Sequence, residues 1–211
     1  MKIRKITQSL FFISVVAIVL DIARLDVWGT TNLLYLIWNL FLAWIPYIIS
    51  LYFIKKDIPI NHFVPFFILW LLFFPNAPYL VTDVFHIASS LSPLLWYDSL
   101  LFFFFGWIGL LMGMLSLFNI HQYLKAHLTH SVSELIIFAI CFISSFGIYL
   151  GRFERWNSWD IFINPLELMR HSFYISANLI HAGVPLTFVV VFTVFMYSVY
   201  KIVCALLVDK I

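Results

Sequence analysis

The stretch Trp70–His86, WLLFFPNAPYLVTDVFH, constrains this chain more than any other. It begins as a membrane helix and runs into Pro75 and Pro78. Phe63 to Phe74 is only 12 residues. That is roughly 18 Å of helix, against a hydrocarbon core of roughly 30 Å. The chain must therefore pass through Pro75-Asn76-Ala77-Pro78 while still in the membrane. Each proline removes a backbone donor, which leaves the carbonyls of Leu71 and Phe74 without their helical partners. In hydrocarbon such groups need protein or water around them. The segment is expected inside a bundle or along a cavity, where it carries Asn76, Tyr79, Asp83 and His86 to one edge of the membrane.

Composition supplies the bilayer. Only 10% of the 211 residues are charged and 64% are hydrophobic, where a soluble domain carries roughly 25% charged residues. The fold class is an all-α integral membrane bundle, one domain over residues 1–211, with six transmembrane helices. The first, Ile6 to Leu20, follows Lys2, Arg4 and Lys5 and resembles a signal peptide in length. The DIARLD that follows offers no small-x-small cleavage site, so a retained helix is expected. The second runs from Asn32 to about Ile54, with Pro46 inside and Lys55 and Lys56 as its stop.

The third span is the broken one, with Asn61 as its cap and Pro65 in its first turn. The fourth, Asp98 to Phe118, has Gly109 and Gly113 at GxxxG spacing, which lets a neighbour approach closely. The fifth, Val132 to Leu150, has Ser131 and Glu134 in a capping-box pattern and a second small-residue seam at Ser144, Gly147 and Gly151. The sixth, Pro185 to Leu207, reads as a plain apolar anchor. Before it, Asn164-Pro165 opens a short amphipathic helix with Leu166, Met169, Phe173, Ala177 and Ile180 on one face, expected to lie on the membrane surface. Cys141 and Cys204 fall in apolar runs and read as small core side chains.

Six spans put both termini on one side. With that side cytoplasmic, the inner ends hold eight basic residues, Lys2, Arg4, Lys5, Lys55, Lys56, Lys125, Lys201 and Lys210. The outer loops hold four, Arg24, Arg152, Arg155 and Arg170. This obeys the positive-inside rule. The outer four are all arginine, the planar fork suited to carboxylates and phosphates, so they are expected to pair. Trp28, Trp96, Trp156 and Trp159 fall at the same level, as an interfacial belt would.

The candidate site gathers there. Asn76, Tyr79, Asp83 and His86 recur at spacings of three, four and three, one helical stripe. Asp83 and His86, with Asp98 at the start of the fourth span, are the catalytic candidates. An Asp and a His one turn apart can share a divalent metal ion or act as an oriented base, although the metal's identity stays open. The alternative is structural: Asp83 caps a helix end or pairs with an arginine. Asn76, Tyr79, Arg152, Arg155, Asn157, Trp159 and Asp160 are the substrate-binding candidates. Arg152 and Arg155 could clamp a lipid phosphate, or else neutralise Asp83, Asp98 and Asp160. His62, His121, His127 and His130 are expected as solvated histidines of the inner face, and His171 and His181 as weak further ligands. The net charge of +2 gives no case for nucleic acid. The bilayer is the expected partner, with protein partner and oligomeric state open.

FPNAPYLVTDVFH, then PLLWYD, then GRFERWNSWD resemble a family of bacterial multi-pass membrane proteins, the domain-of-unknown-function family thirteen sixty-one, over about Asn39 to Leu207. The resemblance implies an integral membrane protein of this size with no established activity and no catalytic residues to carry over. Three functions stay open on the residues alone. One is an enzyme or site acting at the outer leaflet on a lipid or lipid-linked envelope substrate. The others are a non-enzymatic factor assisting an envelope partner and a small transporter.

Overall fold

The computed structural model describes residues 2–28, 33–54, 58–89, 95–156, 160–178 and 184–208. Among these every regular element is a helix. Its elements are α1 (Lys2–Trp28), α2 (Tyr35–Tyr52), α3 (Ile60–Phe73), α4 (Asn76–Tyr79), a 3-10 segment (Leu80–Ser89), α5 (Leu95–His127), α6 (His130–Phe153), α7 (Asp160–Ile163), α8 (Pro165–Asn178) and α9 (Val184–Val208). Six stretches among the described residues are long and apolar enough to cross a membrane: Ile3–Arg24, Tyr35–Tyr52, Asn61–Ile87, Leu95–His127, His130–Phe153 and Pro185–Leu207.

Helix α5 is the axis of the bundle and touches α1, α2, α4, the 3-10 segment, α6 and α9. One apolar core, with Leu36, Leu40, Tyr47, Leu80, Phe105 and Met112, joins it to α1, α2 and the 3-10 segment. A second, with Trp70, Phe74, Met114, Leu117, Met196 and Tyr200, joins it to α3, α6 and α9. Trp70 adds a buried hydrogen bond from its indole N–H to Ser116 Oγ at 2.6 Å.

Both small-residue seams close on the broken span. A Cβ on Gly109 would stand 2.4 Å from the Ala77 carbonyl oxygen, and one on Gly106 would stand 3.2 Å from that of Leu80. A Cβ on Gly151 would stand 3.2 Å from the Tyr79 ring. Glycine is required where α5 meets Ala77 because backbone lies against backbone there.

The break itself is repaired locally. The Ala77 N–H turns to the Phe74 carbonyl at 3.2 Å, so that carbonyl, expected to lack a helical partner, has one three residues on. The shift releases the Phe73 carbonyl, which Asn76 Nδ2 caps at 2.9 Å. Beyond Tyr79 the chain tightens to 3-10 winding, three residues per turn.

Several local expectations are corrected. Helix α1 does not end at Leu20. It continues through Asp21 and Arg24, both buried, because Asp98 neutralises Arg24 inside the bundle. Arg24 and Arg152 are therefore helix residues and not loop residues. Helix α3 starts at Ile60 behind extended Pro59, so Asn61 is not its cap and Pro65 falls in its second turn. Helix α6 is preceded by Thr129, and Ser131 lies within it. Glu134 does not complete a capping box, because it turns into the bundle toward Lys201 and Tyr197. Helix α9 is not a plain anchor, since Tyr197, Tyr200 and Lys201 all carry polar contacts. His121 is buried, not solvated; its Nδ1 lies 2.5 Å from the Tyr200 hydroxyl. His127 is the last residue of α5.

Helix α8 starts at Pro165 as expected, and Leu166, Met169 and Phe173 are exposed on one face. Its other face docks Leu168 and Ile175 against Tyr149, Leu150 and Val189. Ile180, His181, Lys55, Lys56 and Lys210 lie outside the described residues.

Candidate functional site

The site is built where the 3-10 segment crosses the end of α6. Three residues per turn stack Asp83 under His86 and Tyr79 under Thr82, giving two adjacent ridges. Arg152, in the last turn of α6, reaches across both. Its Nη2 pairs with Asp83 Oδ1 at 2.5 Å, its Nε donates to Thr82 Oγ1 at 2.9 Å, and its Nη1 donates to His86 Nε2 at 2.8 Å. The guanidinium also lies over the Tyr79 ring, 4.2 Å from its centroid. From α2, Asn39 Nδ2 donates to Asp83 Oδ2 at 3.3 Å, and the Tyr35 ring meets the His86 ring edge-on at 5.6 Å. The Asp83 and Arg152 side chains are only 1% and 7% exposed, so this is a buried ion pair, while His86 opens to the outside.

This arrangement has chemical consequences. Arg152 can only donate, so His86 accepts at Nε2, and the neutral ring carries its proton on Nδ1. Asp83 and His86 converge, but on a guanidinium: the cation between them belongs to the protein. The pair therefore fits a metal ion poorly. Among the described residues no three His, Cys, Asp or Glu side chains are grouped to hold one.

Asp98 stands apart from this cluster. Arg24 grips it through two bonds, Nε to Oδ1 at 2.5 Å and Nη2 to Oδ2 at 2.9 Å. Asp83 and Asp98 are thus held by two separate arginine pairs, not one shared centre. Arg155 does not join Arg152. It is exposed at a left-handed φ of 61° where the chain reverses after α6, and Trp156 N–H returns to the Leu150 carbonyl at 3.1 Å. Asp160 opens α7, and its backbone carbonyl accepts the Asn164 N–H at 2.8 Å. On α8, His171 Nε2 lies 2.9 Å from Glu154 Oε2. Asn157 and Trp159 lie outside the described residues.

Beside the ion pair lies a cavity of about 410 Å³ between α2, α3 and α6. Its walls are apolar, with Leu42, Leu71, Leu72, Pro75 and Ile148 among them. Trp38, Ile68 and Ile143 also line it and are 52%, 61% and 53% exposed, so its rim faces the lipid side of the bundle. Its polar lining is Asn39, Asn76 and Tyr79, with Trp156 beside them. Asn39 and Tyr79 belong to both structures, touching the ion pair on one side and lining the cavity on the other.

Sequence reasoning reaches the stripe and Arg152 but passes over Thr82 and Tyr35. Thr82 is one position off an α-helical stripe, and only the tighter winding brings it under Arg152. The pairing of Arg24 with Asp98 spans 74 positions and has no local signal.

Residues 38–199 match the model of a family described as protein of unknown function (DUF1361), and the chain belongs to that family. No curated protein and no solved structure matches it.

Proposed function

We propose that this family member holds a lipid or lipid-linked envelope substrate in the outer leaflet. One hydrocarbon chain enters the cavity sideways between α3 and α6, and the polar head meets Asn39, Asn76 and Tyr79. The observation that carries this reading is the cavity itself. It is apolar within, open at a lipid-facing rim and lined with amide and phenol groups at one end, the usual make-up of a ligand site. The ion pair behind it fixes Tyr79 and Asn39, so binding is the role this geometry supports first. Chemistry by Asp83 and His86 requires Arg152 to release them. Arg155, exposed at the turn, is an arginine available to a head-group phosphate.

A transport role draws less support. The ionic groups at the two ends of α5, Asp98 and His121, are separated by roughly 35 Å of helical rise. Buried Phe105, Ile108, Met112 and Met114 fill the interval.

Photo-crosslinking tests the proposal. A phospholipid with a diazirine in its acyl chain should label wall residues such as Leu72 and Ile148. Ile143→Trp together with Leu72→Trp should abolish that labelling while the protein remains folded. Equal labelling of the filled variant and the wild type would refute it. The outer-face placement is checked in cells with Cys141 and Cys204 replaced. A cysteine at Trp96 should react with an impermeant reagent from outside, and one at Ala126 should not.

A further inference from the structure

Among the described residues, four buried side-chain atoms have no hydrogen-bond partner: Asp21 Oδ2, the Tyr35 hydroxyl, His121 Nε2 and Ser144 Oγ. Asp21 is 1% exposed and lies on α1 one turn before Arg24, on the same face. Yet the Arg24 fork is turned to Asp98, which it holds through both Nε and Nη2. The ionic groups acting on Asp21 are Arg24 from its own helix and Asp98 from α5. Among the described residues, Tyr35 of α2 and Tyr97 of α5 are its further titratable neighbours.

Two carboxylates therefore share one guanidinium. If both were ionised, a net charge of −1 would be buried in the membrane with one oxygen that no donor reaches. A buried charge in that position neutralises instead of persisting. A metal ion would call for about six oxygen ligands, far more than Asp21 and Tyr35 bring. A proton needs one lone pair.

We propose that Asp21 is a proton-binding site, a neutral carboxylic acid whose proton and the Arg24 guanidinium can take each other's place. While Arg24 holds Asp98, Asp21 keeps the proton. If Arg24 turns back one helical turn to Asp21, that proton is released, and Asp98, parted from the guanidinium, takes one up. The balance is one proton and one guanidinium over two carboxylates in either arrangement, so the packing of α1 on α5 is proton-linked. The link reaches the neighbouring site through Tyr35, whose ring packs on His86.

The experiment is infrared spectroscopy of the full chain in lipid nanodiscs near neutral pH, following the carbonyl stretch of a protonated carboxylic acid. The wild type should show one such band, unchanged in Glu167→Gln and absent in Asp21→Asn. It should also be absent in Asp98→Asn, where Arg24 is freed to serve Asp21. Asp21→Asn should leave the unfolding midpoint unchanged, because an amide mimics the neutral acid. A spectrum without the band, a band that survives Asp21→Asn, or an Asp21→Asn chain that cannot fold would each overturn the proposal. None of these outcomes depends on whether the cavity holds a lipid.

Discussion

Removing Arg152 and Asp83 singly and together tests whether their pair holds the broken span in place. With side chains 7% and 1% exposed, neither group keeps a water shell, so losing either partner strands a buried charge. Stranding one costs about 3–5 kcal/mol. Arg152→Met also loses the face of Tyr79, worth about 1 kcal/mol, and the bonds to Thr82 and His86, worth about 1 kcal/mol each. Asp83→Leu keeps those contacts but leaves the guanidinium unpaired. In the double variant no charge remains, and replacing a buried pair by apolar groups is often close to neutral. Its expected cost is the lost Tyr79, Thr82 and His86 contacts and the Asn39 bond to Asp83, about 3–4 kcal/mol. Each single variant strands a charge that the double does not, so the coupling energy is then about 6 kcal/mol or more. The assay is unfolding by SDS titration in mixed micelles in a Cys204→Ala background, read by the reactivity of the buried Cys141 thiol. A coupling below about 1 kcal/mol, or a double variant worse than either single, would refute the reasoning.

Two further substitutions probe the segment in the same assay. Gly109→Ala drives a Cβ to 2.4 Å from the Ala77 backbone oxygen and 2.6 Å from Leu80 Cδ1, so it should destabilise. The expected cost is about 1–3 kcal/mol, the usual range for overpacking. Gly147→Ala meets only the Pro75 ring, at 3.5 Å from Cγ and 3.8 Å from Cβ, and should be neutral or stabilise by up to about 1 kcal/mol through helix propensity. Equal effects at the two positions would remove the argument for close backbone contact. Asn76→Ala should cost about 1–3 kcal/mol, because the Phe73 carbonyl then lies uncapped in the membrane. An unchanged midpoint would show that another donor takes its place.

Much of this molecule can be read from its residues, and the limits are physical. Six spans follow from apolar runs and helical rise, and the break in the third follows from Pro75 and Pro78. The Gly109–Gly113 and Gly147–Gly151 seams also show in the sequence, although which neighbour they admit does not. Arg152 reads as a pairing arginine, but nothing local decides between Asp83, Asp98 and Asp160. That choice is made by which helix ends meet. Helix α1 was underestimated for the same reason: Asp21 and Arg24 look like the end of a span until Asp98, 74 positions after Arg24, neutralises the arginine inside the bundle. His121 looks solvated in a polar stretch. It is buried because Tyr200, 79 positions on, supplies a partner at its own depth. Helical periodicity passes over Thr82, since it presumes 3.6 residues per turn where the chain adopts three.

Where the glycines point bears on what kind of protein this is. Small-residue stripes on an outer surface would invite a partner helix, the reading in which the chain assists another membrane protein. Here Gly106 and Gly109 of α5 close on Ala77, Leu80 and Val81, while Gly147 and Gly151 of α6 close on Pro75 and Tyr79. Both stripes grip the same short piece of backbone from different helices, and Arg152 fastens its far end. A bundle that needed only to cross the bilayer would be more stable with an unbroken third helix, which satisfies its own backbone. Tolerating the break, and committing two glycine seams and a buried ion pair to fixing it, makes sense if the product is the position of Asn76 and Tyr79 at the end of a lipid-facing cavity. Restoring a regular helix with Pro75→Ala and Pro78→Ala should therefore raise stability and lose the diazirine-lipid labelling together. Labelling that persists in that variant would separate the break from the site.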